Sequence, residues 1–231
     1  MLQFRPELLI FDLDGTLAHT LPQLAKAAQQ VAREMGLKVP LDQEVANYVG
    51  NGVTMLLART IAGRKDVTTA EVPEELQKQA RALFNKIYSA GLSRDFVVYP
   101  GVKDGLRHFK EIGLKCAVVT NKPEIFARPL LGFMGLTPYF DFILGGEVLD
   151  KRKPDPAPLF YVCDKLQVSA AHSLMVGDSV NDIKAGQNAG MPTAAFTYGY
   201  NGGHDVREFA PDCVFDEFAG LTACIDALPP R

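Results

Sequence analysis

Two aspartates, Asp12 and Asp14, stand two positions apart at the end of the apolar run Leu8–Phe11, with Gly15 and Thr16 directly after. Close like charges are costly unless something compensates them, and the obvious compensation is a cation. Three further runs carry related chemistry. Thr120, Asn121 and Lys122 follow "AVV", Lys153 stands before a proline in "DKRKPDP", and Asp178, Ser179, Asn181 and Asp182 follow "LMVG". Carboxylates with no neighbouring His or Cys favour a hard, oxygen-ligated ion such as Mg²⁺, which takes one or two carboxylates and keeps water and phosphate oxygens. A hydroxyl and a lysine facing that ion can hold the other oxygens of a phosphoryl group. One carboxylate is then free to attack phosphorus and another to move a proton. Each piece alone also has a plainer reading: Asp178 as a helix cap, Thr120 as a satisfied hydroxyl, Lys153 as a solvated lysine.

The elements that must position these residues follow from the pattern. "LLIF" reads as a buried strand, and its period of two points Asp12 and Asp14 to the same side. Residues from about 18 to 95 read as helices only, punctuated by Gly36, Pro40, Gly50 and Gly91 and opened at one point by Pro73 with two glutamates. From there helices and strands alternate: "VKDGLRHFKEIG" then "LKCAVVT", "EIFARPLLGFMG" then "FDFILGG", "PAPLFYVCDKLQ" then "SLMVGD", and "SVNDIKAGQNAG" then "TAAFTY". "CVF" precedes a last helix. Repeated strand–helix units imply an α/β fold, a doubly wound (Rossmann-like) parallel sheet with helices on both faces. The expected organisation is a core of residues 1–17 and 97–231, with a helical cap of residues 18–96 inserted after the first strand. Ligands of such sheets sit at the carboxyl ends of the strands. The insertion starts there, which makes it a lid that can exclude water.

Bulk properties narrow the function classes. The chain has 231 residues, 24 basic against 27 acidic side chains and a net charge of −3, with no basic run suited to nucleic acid. No stretch approaches the roughly 18 apolar residues of a membrane span. The run Leu8–Phe11, flanked by Arg5 and Glu7, is too short for a signal peptide. Cys116, Cys163, Cys213 and Cys224 form no C-x-x-C pair and read as buried, reduced thiols. The expectation is a cytoplasmic protein, monomer or homodimer, acting on a small molecule.

The four strand-end runs in this order resemble the haloacid dehalogenase-like hydrolase superfamily over nearly the whole chain. "DLDGT" matches its first motif, "VVTNK" its second, Lys153 of "KRKPDP" its third and "GDSVND" its fourth. Within it the chain is most similar to the bacterial phosphoglycolate phosphatases, through "VGNGV", "VTNKPE", "KPDPAPL", "VGDSVNDIKAG" and above all "TYGYNGG". The resemblance implies Asp12 as a nucleophile forming an aspartyl phosphate and Asp14 as general acid and base. It implies Mg²⁺ on Asp12, the backbone carbonyl of Asp14 and Asp178, phosphoryl oxygens on Thr120, Asn121 and Lys153, and supporting roles for Ser179 and Asp182. The implied reaction is Mg²⁺-dependent hydrolysis of 2-phosphoglycolate to glycolate and phosphate. Relatives commonly read "DGTLVDS" where this chain has "DGTLAHT", so His19 and Thr20 depart from the pattern at the approach to the cap.

Selectivity falls to the cap. Gly50, Asn51 and Gly52 precede a helix that starts near Val53, and free N–H groups at a helix start suit an anion such as the substrate's carboxylate. The same glycines also suit the end of one helix and the start of the next. Arg59 is a second carboxylate candidate, and Tyr198, Tyr200 and Asn201 border the site. Two other functions stay open: a phosphatase of the same subfamily acting on a sugar phosphate such as N-acetylmuramic acid 6-phosphate or on broad phosphomonoesters, and a β-phosphoglucomutase-like phosphomutase.

Overall fold

The structure is a computed structural model describing residue 2 and residues 5–229. β1 (Leu8–Phe11) leads through a tight turn to β2 (Ala18–His19). Four helices follow: α1 (Leu21–Glu34), α2 (Asp42–Tyr48), α3 (Val53–Ala62) and α4 (Glu74–Gly91). β3 (Val97–Val98) returns the chain to the sheet. The remainder alternates: α5 (Val102–Glu111), β4 (Lys115–Pro123), α6 (Glu124–Phe133), β5 (Phe142–Gly146), α7 (Ala157–Leu166), β6 (Ser173–Gly177), α8 (Val180–Asn188), β7 (Thr193–Phe196), β8 (Cys213–Phe215) and α9 (Phe218–Ala227).

Six strands form one parallel sheet in the order β5-β4-β1-β6-β7-β8. β1 lies in the middle, pairing with β4 on one side and β6 on the other, so the winding reverses direction at its carboxyl end. Crevices at such switch points are where ligands of α/β sheets bind. All four residues of β1 are fully buried, as a strand covered on both faces must be. Its alternation divides them: Leu9 and Phe11 join one core, where Phe11 stacks on Phe109 and Phe218, and Leu8 and Ile10 join the other beside Met175 and Leu159.

The helical insertion is joined to the sheet by a two-stranded antiparallel stalk, with Ala18 opposite Val98 and His19 opposite Val97. The expectation of helices alone across residues 18–95 is corrected here. Two residues per strand are too few for any periodicity to register. The insertion shares its core with the sheet: Phe84 and Tyr88 of α4 meet Phe126 of α6 edge-on, at centroid distances of 6.2 and 5.1 Å. A second correction concerns the thiols. Cys116 and Cys163 are buried, whereas Cys213 and Cys224 are only half-buried, because β8 is an edge strand of the sheet and α9 packs beside it. No helix among the described residues is long and apolar enough to cross a membrane.

Candidate active site

The carboxyl ends of β1, β4 and β6 open into one pocket roofed by α1, α3 and α4. Asp12, Asp14, Thr120, Asn121, Lys122, Asp178 and Ser179 line it from the sheet side, and Gly50, Gly52, Val53 and Tyr88 from the cap side. Asp12 continues the ladder of β1, its N–H donating to Val176 O at 3.0 Å. Asp14 faces the same pocket for a different reason from the one the strand period suggests. β1 ends at Phe11, and a turn closed by Leu17 N–H on Leu13 O at 3.0 Å brings Asp14 round.

The carboxylates have distinct surroundings. Asp14 accepts hydrogen bonds from Thr20 Oγ1 at 2.6 Å and from Lys122 Nζ, which lies 3.0 Å from each of its oxygens. Asp178 accepts from Thr16 Oγ1 at 2.5 Å and from the Tyr200 N–H at 2.6 Å. Gly15, with φ +86°, and Gly199 press so close to Asp178 that a Cβ on either would overlap its carboxylate. Asp182 is fully engaged: one oxygen accepts from the N–H groups of Asp178 and Ser179 and from Ser179 Oγ, the other from Lys153 Nζ at 2.7 Å. Asp182 and Ser179 therefore shape the loop and hold the lysine.

Lys153 is buried and also donates to Val119 O at 2.6 Å. Its Nζ also lies 3.1 Å from Asp12 Oδ1, an ion pair that it shares with Asp182. One ammonium shared between two carboxylates leaves the cluster with net negative charge. Burial pushes the Asp12 carboxyl up to about 6, opposed by Lys153 and reinforced by Asp182 and Asp14. Burial, with Asp182 and Asp12 nearby, also raises Asp178 well above the usual carboxylate range. The charge is thus under-compensated. Oxygens of Asp12, Asp178 and Asp182 lie within 4.8 Å of one another, an all-oxygen donor set that suits a divalent cation.

Other expected residues are placed differently. Thr120 is buried at the pocket with its Oγ1 accepting from the Lys122 N–H at 3.2 Å. The Asn121 amide is committed to Gly50 O at 3.0 Å and Lys153 O at 2.9 Å, clamping the cap loop and the lysine loop. Gly50 O also accepts from Asn181 Nδ2 at 3.1 Å, so the Gly50–Gly52 loop fastens the cap to the rim of the site. Asn51 reaches Asn181 rather than lining the pocket. Arg59 is turned away, donating to Tyr48 O and Lys65 O, because the end of α2 needs its carbonyl satisfied.

Sequence reasoning assigned no role to Lys122 or to the Tyr200 hydroxyl. Tyr200 Oη accepts from the Thr20 and Leu21 N–H groups and lies 2.5 Å from His19 Nδ1, so the departure at His19 and Thr20 is absorbed into the stalk. The signal for Lys122 was its place directly beyond Thr120 and Asn121 at a strand end.

The family model for haloacid dehalogenase-like hydrolases matches residues 9–196. The chain is 43% identical to the phosphoglycolate phosphatase of Psychrobacter arcticus, over 93% of this chain and 94% of that protein. It is 42% identical to the one from Thiobacillus denitrificans, over 91% of each. A crystal structure of a predicted phosphoglycolate phosphatase from Haemophilus somnus superposes with a TM-score of 0.89 at 36% identity, covering 97% of this chain and 99% of that one.

Proposed function

The chain belongs to the haloacid dehalogenase-like hydrolases, and from its 42–43% identity to phosphoglycolate phosphatases over more than nine-tenths of its length we propose that it hydrolyses 2-phosphoglycolate to glycolate and phosphate. The observation that carries the reading is the meeting of Asp12, Asp14 and Thr120 in one pocket under a helical roof. Asp12 attacks phosphorus as the bond to the ester oxygen breaks. Asp14, within reach of that oxygen, gives it a proton and glycolate leaves. Asp14 then takes a proton from water, which attacks the aspartyl phosphate and releases phosphate.

Thr120 and the buried ammonium of Lys153 hold the phosphoryl oxygens, and Asp182 keeps that ammonium in place. Asn121 acts as a clamp between the loops more than as a phosphate ligand. Asp12, Asp178 and the backbone carbonyl of Asp14 would hold Mg²⁺, which neutralises charge on the phosphoryl group. Residues 18–96 act as the cap, and the Gly50–Asn51–Gly52 loop closes it over the substrate. A cytoplasmic monomer or homodimer accords with this chemistry.

The test is phosphate release from 2-phosphoglycolate against a panel of phosphomonoesters including sugar phosphates, with and without Mg²⁺. Preference for 2-phosphoglycolate and loss of turnover in EDTA are expected. A sugar phosphate turned over faster, or isomerised instead of hydrolysed, would overturn the assignment.

A further inference from the structure

Resting on the reading that 2-phosphoglycolate is the substrate, we propose that Lys122 selects for it. In this assignment the ammonium that sits beside Asp14 pairs with the carboxylate of the bound substrate.

The pocket's composition points there. Its walls are largely apolar, with Leu24, Val53, Leu56 and Phe126 among them, and three of its side chains are carboxylates. Lys122 is the one cation among the described residues lining it. A second anionic group entering such a space needs a counter-charge. Lys153 lies behind the carboxylates, taken up by Asp182 and Asp12, and serves the phosphoryl end. The carboxylate end has Lys122.

Distance makes the same assignment. The leaving oxygen must lie within hydrogen-bond reach of Asp14 to receive its proton. In 2-phosphoglycolate the carboxylate carbon is two bonds from that oxygen. Lys122 Nζ, 3.0 Å from both Asp14 oxygens, therefore borders the space the carboxylate must fill. An ammonium carries three donors and Asp14 accepts from two.

The surroundings fix the group. The Lys122 side chain is 2% exposed, a degree of burial lysine tolerates only when paired. Its ammonium lies 4.9 Å from the ring centroid of Tyr88, a cap residue whose hydroxyl donates to Gln23 Oε1 at 3.1 Å. The cap thus places an aromatic wall over the charge, and with water excluded an ion pair with the substrate is stronger than in solvent.

The experiment compares kcat/KM for 2-phosphoglycolate and for 2-hydroxyethyl phosphate, which carries a hydroxyl where the carboxylate would be. Lys122→Met removes a partner of Asp14 and should slow both, so the readout is the ratio. Loss of one charge-assisted hydrogen bond should lower that ratio by about 10- to 150-fold, and Lys122→Arg should retain most of it. An unchanged ratio in Lys122→Met would overturn the proposal and leave Lys122 as a positioning residue for Asp14. No preference for 2-phosphoglycolate in the unaltered chain would instead overturn the substrate reading, and the role of Lys122 with it. Should the variants not fold, a crystal structure of the unaltered chain with glycolate decides. A carboxylate within hydrogen-bond distance of Nζ supports the assignment, and one seated only at the start of α3 overturns it.

Discussion

At the scale of single residues, two aspartates in one pocket differ because their neighbours differ. Asp12 is paired with the buried ammonium of Lys153, while Asp14 is held by Thr20 and Lys122. In the proposed reaction the first is the nucleophile and the second serves the leaving group. Asp12→Ala should therefore abolish the phosphoenzyme, read by acid-quenched labelling with phosphate-labelled substrate, and with it nearly all turnover. Asp14→Ala should lower kcat by about 10²–10⁴, the usual worth of a general acid–base. The loss should shrink for p-nitrophenyl phosphate, whose leaving group scarcely needs a proton. Equal loss on both esters would remove Asp14 from the proton-transfer role.

At the scale of elements, the Gly50–Gly52 loop shows how docking constrains the backbone. Gly52 has φ +80°, and a Cβ there would stand 3.1 Å from Asn121 O on the core. A non-glycine residue held in that conformation costs on the order of 1–3 kcal/mol, and Gly52→Val should place that cost on the closed cap. We expect kcat/KM to fall by about 5- to 150-fold on 2-phosphoglycolate and on p-nitrophenyl phosphate alike, checked by steady-state kinetics with both. A loss confined to 2-phosphoglycolate would make the loop a carboxylate reader instead. The elements also set what was legible beforehand. β1, β4 and β6 announce themselves as short apolar runs and the helices by composition and their glycine and proline punctuation, and the strand-end runs locate the pocket. The stalk β2–β3 is too short to register, and the clamp by Asn121 depends on a loop about 70 residues away in the chain. Lys122 was visible as a residue, but its pairing with Asp14 and Tyr88 needs the turn after β1 and the docking of α4, which no local pattern encodes.

At the scale of the whole molecule, the carboxylate cluster sits at the carboxyl ends of the adjacent central strands β1 and β6, so its charge bears on the stability of the entire chain. Asp12 is pushed from 3.8 up to about 6, first by burial and then by Asp182 and Asp14 against the pull of Lys153. Between those values the native state binds more protons at Asp12 than the unfolded state does. By linkage this group makes stability fall as pH rises through the window, and above it the metal-free fold carries the full penalty. Asp178, raised by the same burial, acts in the same direction. A divalent cation held by Asp12 and Asp178, as proposed, would bind the native state in preference to the unfolded chain, relieve the penalty and compete with protons for the same oxygens. The stabilisation by Mg²⁺ should therefore be larger at pH 7.5 than at pH 5. At a hundredfold excess over its dissociation constant the ion contributes about 2.7 kcal/mol, which for a chain of this length is a rise in Tm of roughly 5–10 °C. Thermal unfolding in EDTA and in Mg²⁺ at the two pH values gives the comparison, and taking differences cancels the titration of every other group. Asp178→Asn should remove most of the gain at pH 7.5. A gain equal at both pH values, or one that survives this substitution, would place the ion away from Asp12 and Asp178 at the ends of β1 and β6.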